Sequence, residues 1–192
     1  MAQYKGINHL ALVTSDMDMT IRFWRDLLGM RLVAGLGDGT YRHYFFEIST
    51  EDMIAFFEWP GAEKPELKDH GVPVDGPAIF DHVAIGVSAM EDLIELRRKI
   101  TAAGLWVSEI IDHGFILSIY AFDPNRIPIE FSWQVPEVDV RSHPKMKDKS
   151  PSKTAIEGPE PQPGKWPSPD ALPQDEDDTD VYPGEGIVFK EE

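Results

Sequence analysis

Two stretches of the sequence decide the fold: Asn8-His9-Leu10-Ala11-Leu12-Val13 and Asp81-His82-Val83-Ala84-Ile85-Gly86-Val87. Both are short and rich in aliphatic residues, and both carry a histidine near the start. Such runs are typical of β-strands. The sequence therefore contains an internal repeat, and each copy of it begins with a strand.

A helix signal follows each of these strands. Ser15-Asp16-Met17-Asp18 and Ser88-Ala89-Met90-Glu91 fit the pattern in which a serine caps a helix and an acidic residue follows three positions later. Apolar residues then recur at helical spacing. Gly29 and Gly104 stand where a glycine that ends a helix is expected.

Three strand-like runs follow each helix, so each copy of the repeat is a βαβββ unit. The runs are residues 31–37, 41–49 and 53–59 in the first copy, and 105–111, 115–122 and 127–133 in the second. We therefore predict an α+β fold in which two tandem βαβββ modules form a curved-sheet trough.

The composition changes between and after the two copies. A proline-rich stretch separates them, and ten of the 16 prolines lie from Pro136 to Pro183 together with an acidic run at residues 175–178. Such composition favours extended or disordered chain. The predicted organisation is a first module (1–60), a linker (61–79), a second module (80–134) and an extended, partly disordered tail (135–192).

Composition also excludes several classes of function. The formal net charge of -16 disfavours binding to nucleic acids and to anionic membranes. No apolar run approaches the roughly 18–20 residues that a membrane-spanning helix needs. The absence of cysteine excludes disulfides and thiolate ligands. Because the N-terminal residues lack the pattern of a signal peptide, we expect a cytoplasmic protein.

Two histidines and one glutamate are the strongest candidates for chemistry. His9 and His82 occupy matching positions at the start of the first strand of each copy, and Glu130 lies in the apolar last strand of the second. A buried carboxylate is costly unless charge or hydrogen bonds compensate it. Two imidazoles and one carboxylate on one face form a triad that suits Fe(II). A metal-free trough remains the alternative.

Glu58 is the candidate for a fourth ligand. It lies 49 residues after His9, and Glu130 lies 48 residues after His82. A slip of one residue in the strand register would turn its side chain to the other face of the sheet.

Residues 5–134 resemble the vicinal-oxygen-chelate superfamily, which includes glyoxalase I, bleomycin and fosfomycin resistance proteins, methylmalonyl-CoA epimerase and extradiol dioxygenases. Residues 111–130 are most similar to the extradiol enzymes, which carry a histidine, an aliphatic-tyrosine pair, an acid-proline turn and a ligand glutamate ten residues after the tyrosine. Here these are His113, Tyr120, Asp123-Pro124 and Glu130. Arg126 departs from the glycine or proline of that pattern, and a left-handed Asn125 could preserve the turn.

This resemblance implies an extradiol-type dioxygenase that cleaves a catechol-like substrate with O2. His9, His82 and Glu130 would be the Fe(II) ligands, and His113 and Tyr120 would hydrogen-bond beside the bound catecholate. His70 would be the acid/base histidine that precedes the second ligand. Among the aromatic residues, Phe45, Phe56 and Trp59 are candidates for the wall of the substrate pocket.

Two other classes of function remain open. A glyoxalase-like lyase or an epimerase would use four protein ligands, and manganese, zinc or nickel would be the alternatives to iron; Glu58 would discriminate this class from the dioxygenases. A metal-free protein that binds a drug or another small molecule is the third reading. Exposed edges of the paired sheets favour a homodimer.

Overall fold

Eight β-strands form two four-stranded sheets in this computed structural model, which describes residues 3–76, 80–166, 168 and 180–190. The strands are β1 (His9–Thr14), β2 (Arg31–Gly37), β3 (Arg42–Glu47), β4 (Met53–Glu58), β5 (Val83–Gly86), β6 (Ile111–Asp112), β7 (Ile116–Phe122) and β8 (Pro128–Gln134). Their orders are β1-β4-β3-β2 and β5-β8-β7-β6. Pairs β1-β4 and β5-β8 are parallel and the other pairs are antiparallel. The predicted α+β class with tandem βαβββ modules is confirmed.

One helix follows the first strand of each module. These are α1 (Met17–Ile21), which continues as a π-helical stretch (Arg22–Leu27), and α2 (Met90–Ala102). Both end at the predicted glycines, since Gly29 and Gly104 have φ of 83° and 73°. Glycine adopts this left-handed conformation without steric cost, which explains why the two helices end there.

The helix starts differ by one residue from the prediction. Asp16, not Ser15, caps α1, because its carboxylate accepts the N–H of Met19 at 3.0 Å. In α2 the cap position is Ala89, whose N–H donates to the Asp92 carboxylate at 2.9 Å. An acidic side chain thus satisfies backbone N–H groups at each helix start.

The predicted strand over residues 105–111 is wrong for most of its length. Val107 forms an isolated bridge to β7, and the regular strand β6 has two residues. Between them Ser108 bonds Tyr120 twice at 2.9 Å: its N–H donates to the Tyr120 carbonyl and its hydroxyl accepts the Tyr120 N–H. The serine hydroxyl therefore takes the place of a backbone carbonyl and interrupts the strand pairing.

The helices pack on one face of each sheet. Side chains alternate between the two faces of a strand, and Trp24 of the first helical segment contacts Phe56 of β4. In the second module, Leu93 and Ile100 of α2 are fully buried in the same core cluster as Ile119 of β7. The opposite face of each sheet carries neither α1 nor α2; we call it the helix-free face.

The two modules contact each other through buried polar side chains on the helix-bearing side. Thr14 donates to the Asn125 Oδ1 at 2.7 Å, and the Asn125 Nδ2 donates to Thr20 at 3.1 Å. Asp123 accepts from the Asn125 Nδ2 at 2.9 Å and from the Trp24 indole N–H at 3.4 Å. Because each of these groups is paired inside the protein, they fix how the two modules meet.

Replacing Arg126 by glycine should stabilise the protein. Arg126, not Asn125, is the residue with left-handed backbone in the β7–β8 turn, with φ of 65°. That conformation costs a non-glycine residue about 1–2 kcal/mol. We expect Arg126→Gly to raise the free energy of unfolding by about 1 kcal/mol in urea titrations. The control is Arg126→Ala, which also loses the bond to the Pro65 carbonyl; equal stability of the two variants would refute the argument.

The chain divides into two units, Met1–Val138 and Asp139–Glu192. In the second unit, the described residues include two short 3-10 helices, Ala155–Glu157 and Glu185–Lys190. The acidic run at 175–178 lies outside the described residues. Neither α1 nor α2, nor any other helix in the described part of the chain, has the length and apolar character needed to cross a membrane.

Candidate metal site

The side chains of His82 and Glu130 meet on the helix-free face of the second sheet. His82 immediately precedes β5, and Ala84 of that strand pairs with Glu130 of β8. Because the faces alternate, His82, Ala84 and Glu130 share one face. The His82 Nε2 lies 2.8 Å from the Glu130 Oε2, and only 4% of Glu130 is exposed. Two good metal donors, an imidazole and a carboxylate, thus converge on one point.

Both donors are oriented by neighbouring side chains. The buried Ser118 hydroxyl donates to the Glu130 Oε1. The His82 Nδ1–H donates to the Asp81 Oδ1 at 2.6 Å. Metal-bound histidines commonly donate their second ring N–H to a carboxylate in this way. These donors and their partners therefore fit one side of a divalent metal site.

Asp81 is itself held by the linker between the modules. Its Oδ2 binds the Lys68 ammonium at 2.7 Å and its Oδ1 accepts the Gly71 N–H at 3.1 Å. Lys68, then His82, then the Gly71 N–H hold the pKa of Asp81 well below its usual range. Asp81 is therefore an ionised acceptor for His82 at neutral pH.

The third predicted ligand, His9, lies on the other sheet. It begins β1, is exposed, and pairs with Met53 of β4. Its ring contacts Phe45 at 5.5 Å between centroids. Within one chain, the described residues contain no group of three or more histidine, aspartate or glutamate side chains that could hold a metal ion. The structure of a single chain therefore does not bring His9 to His82 and Glu130.

The register of the first sheet contradicts Glu58 as a ligand. Glu58 pairs with Thr14, so its side chain lies on the helix-bearing face, opposite to that of His9. Its Oε1 accepts the Met17 N–H at 2.8 Å and its Oε2 pairs with Arg42. The Glu58 side chain is thus turned away from the face that carries His9, and its carboxylate caps α1.

The two registers identify which residue corresponds to Glu130. Glu130 pairs with the residue two positions after His82, and Ala55 pairs with Ala11, two positions after His9. Ala55 therefore takes the place of a second ligand glutamate in the first module. At these positions the two modules together carry two histidines and one carboxylate.

Tyr120 and His113 form a polar pair beside Glu130. Tyr120 pairs with Glu130 across β7 and β8, so both side chains share the helix-free face. The Tyr120 hydroxyl lies 2.9 Å from the His113 Nε2. Burial, and then the negative charges of Glu130 and Asp81, raise the pKa of Tyr120. The phenol therefore keeps its proton at neutral pH and can donate it in a hydrogen bond.

His70 is buried, although it lies in the linker. Its side chain is 5% exposed. The Nε2 lies 3.0 Å from the Ile129 carbonyl, to which it donates, and the Nδ1 lies 3.1 Å from the Asp69 carboxylate. The ring is 4.8 Å from that of Tyr120 and 5.9 Å from that of His82. His70 thus lies at the site, with both ring nitrogens engaged by the protein.

The helix-free face of the first sheet is aromatic. The ring of Phe57 stacks on those of His43, at 3.5 Å and 17°, and Trp59, at 5.3 Å and 9°. Phe45 lies next to His43 at 4.3 Å. Phe56 is on the opposite face and fully buried, so its prediction as a pocket wall is wrong. The aromatic surface ends at His9.

Three residues with contacts at the site escaped the sequence analysis: Lys68, Asp81 and Ser118. The contact of Asp81 could have been predicted from the sequence, because an acidic residue directly before a candidate ligand histidine can bind the second ring nitrogen of that histidine. Ser118 had a weaker signal, since it lies two residues before Tyr120 on the same strand face. Nothing in the sequence predicts the contact of Lys68, because it depends on how the linker folds back toward Asp81.

Comparisons with known proteins agree with the fold. The profile of the Glyoxalase/Bleomycin resistance protein/Dioxygenase superfamily matches residues 6–131. A lactoylglutathione lyase of Haemophilus influenzae is 28% identical over 134 residues, covering 65% of this chain and 90% of that protein. Glutathione transferase FosA of Serratia marcescens is 27% identical over 128 residues, covering 66% of this chain and 79% of that protein.

Solved structures show the same architecture. A glyoxylase/bleomycin resistance protein/dioxygenase domain from Frankia sp. EAN1pec superimposes with a TM-score of 0.58 at 20% identity, covering 69% of this chain and all of that one. The fosfomycin resistance protein FosX of Listeria monocytogenes gives a TM-score of 0.51 at 18% identity, covering 70% and 98%. At these identities the likeness concerns the fold.

Proposed function

Because this chain belongs to the Glyoxalase/Bleomycin resistance protein/Dioxygenase superfamily, we propose that it is a metal-dependent enzyme in which His9, His82 and Glu130 hold one divalent metal. The observation that carries this proposal is the contact of His82 with the buried Glu130, each oriented by a second side chain. Removing the Glu130 carboxylate from water costs free energy, and a bound cation would offset that desolvation cost.

We propose further that two copies of the chain assemble the site. His9 lies on one helix-free face and the His82–Glu130 pair on another, while the modules meet on their helix-bearing side. To bring His9 to the pair within one chain, one sheet would have to rotate relative to the other. That rotation would break the buried contacts of Asn125 with Thr14 and Thr20. A second copy can instead place its own His9 against the pair. A homodimer built this way has two equivalent sites.

The reaction we propose is extradiol-type cleavage of a catechol-like substrate with O2. Two features favour it: alanine at position 55, which leaves three protein ligands, and the Tyr120–His113 pair beside Glu130. Two histidines and one carboxylate suit iron(II) and leave positions open for ligands. A metal held by His9, His82 and Glu130 would supply Lewis-acid chemistry that lowers the pKa of a substrate's vicinal oxygens.

The chain's own residues have separate roles in this scheme. Tyr120, whose phenol stays protonated, donates a hydrogen bond toward a substrate oxygen held near Glu130, and His113 orients the phenol from its other side. The aromatic face that ends at His9 offers flat apolar surface to a ring. His70, as the acid/base candidate, would have to release one of its two hydrogen bonds first.

A lyase that forms or cleaves a glutathione conjugate, or a transferase that joins glutathione to a second substrate, is the second candidate. It is favoured by the two named relatives, a lactoylglutathione lyase and a glutathione transferase. Zinc, nickel or manganese would then be the expected metal. The test compares protein loaded anaerobically with iron(II) or with nickel(II). Oxygen consumption with catechols by the iron form supports the dioxygenase; formation of S-lactoylglutathione from glutathione and methylglyoxal by the nickel form, without oxygen consumption, supports the lyase.

Removing the Ser118 hydroxyl should weaken metal binding. Ser118 fixes the Glu130 Oε1 and so directs the Oε2 toward His82. We expect Ser118→Ala to raise the dissociation constant for cobalt(II) about 10-fold or more, measured by calorimetry. The matched control is Ser132→Ala, the cross-strand neighbour of Ser118 on the same face. Equal weakening in both variants would show that Ser118 has no specific role.

A further inference from the structure

We infer that Lys68 and Asp81 are positioning residues for His82. The neighbouring linker residues His70 and Gly71 hold this pair against the second sheet. The inference rests on the proposed function, since it treats His82 as a metal ligand. It adds a role for the linker, which connects the modules and also orients one donor of the site.

The Asp81 carboxylate has three hydrogen-bonding partners. One carboxylate oxygen accepts both the His82 Nδ1–H and the Gly71 N–H, and the other binds the Lys68 ammonium. Since a carboxylate only accepts hydrogen bonds, the His82 Nδ1 must carry a proton. The two nitrogens lie on different edges of a planar ring, so fixing Nδ1 on Asp81 directs Nε2 toward Glu130.

The linker is anchored where it supplies these contacts. The His70 side chain is buried and its Nε2 donates to the carbonyl of Ile129, the residue before Glu130. The Lys68 side chain is only 19% exposed, whereas 42% of the Asp81 side chain is. A lysine whose side chain is largely buried needs a partner for its charge, so the ion pair fixes both side chains. Lys68 therefore positions Asp81, and Asp81 in turn positions His82.

Cobalt(II) binding to the full-length protein tests this order. The variants are Asp81→Ala, Asp81→Asn, Lys68→Met and the double variant Lys68→Met/Asp81→Ala. Lys64→Met is the matched control, because Lys64 is an exposed lysine of the same linker. Calorimetry gives the dissociation constant, the visible spectrum of cobalt reports ligand geometry, and thermal unfolding monitors the fold.

We expect Asp81→Ala to raise the cobalt dissociation constant about 10- to 100-fold and to change the spectrum. Asp81→Asn should recover part of the affinity, because its amide oxygen still accepts the Nδ1–H. Lys68→Met should weaken binding alone but add nothing in the Asp81→Ala background, since it acts only through Asp81. Lys64→Met should match the wild type.

Three results would overturn the inference. Wild-type affinity in Asp81→Ala would remove the role of Asp81 while leaving the proposed metal site intact. An equal effect of Lys68→Met with and without Asp81 would show that Lys68 does not act through it. Absence of cobalt binding by the wild type itself would refute the proposed function, and the inference with it.

Discussion

Replacing His82 by alanine should abolish specific divalent metal binding and lower turnover by more than about 100-fold. His82 supplies the imidazole nitrogen that lies 2.8 Å from Glu130, and even partners that only orient a ligand are typically worth 10- to 100-fold. The ring is partly exposed and outside the apolar core. We therefore expect the protein to stay folded, with a free energy of unfolding, from urea titration without metal, about 1–3 kcal/mol lower because the buried Glu130 loses one partner.

His143→Ala is the control for this variant, because it removes a histidine that we expect to be inert, in the C-terminal unit. It should bind metal and turn over substrate like the wild type. A His82→Ala protein that is folded, binds metal stoichiometrically and remains active would show that the chemistry lies elsewhere. Loss of the fold in His82→Ala would instead contradict our assignment of a functional role without a structural one.

Mixing two inactive variants should restore activity if each site contains residues from two copies. His9→Ala and His82→Ala each lack one ligand in every site. In a mixed dimer, the His9 of the His82→Ala chain can meet the His82 and Glu130 of the His9→Ala chain, which rebuilds one of the two sites. With random reassortment we expect roughly a quarter of the wild-type activity and bound metal. Measurements before and after unfolding and refolding the mixture together give the comparison.

A mixture of His82→Ala with Glu130→Ala is the control, since no pairing of those chains restores a site. It should remain inactive. If the His9→Ala and His82→Ala mixture also stays inactive although mixed dimers form, the site is not shared between copies. If His9→Ala alone binds metal with wild-type affinity, His9 is not a ligand.

The repeat explains why the fold was predictable from the sequence. His9 and His82 each start a strand, and Gly29 and Gly104 each end a helix, so two copies of one pattern supported each other. Strand β6 was predicted poorly because the prediction rests on apolar alternation. That pattern does not reveal that the Ser108 side chain replaces a backbone acceptor.

Predictions for the site were limited by strand register and by long-range folding. Spacing from a histidine suggested Glu58 as an equivalent of Glu130, but pairing places Ala55 there, because Ala55 follows His9 by 46 residues whereas Glu130 follows His82 by 48. The convergence of His82 and Glu130 was predictable, since both lie in one module. The position of His9 relative to them was not, because it depends on how whole modules meet.

The most direct test of the central claim is the metal content of protein purified without oxygen or chelators, measured by elemental mass spectrometry beside His82→Ala. We expect close to one iron per chain in the wild type and almost none in the variant; zinc, nickel or manganese at that level would keep the site and favour the lyase or transferase reaction. Wild-type protein that carries no metal, even after reconstitution with each of these ions, would contradict the claim that His9, His82 and Glu130 form a metal site.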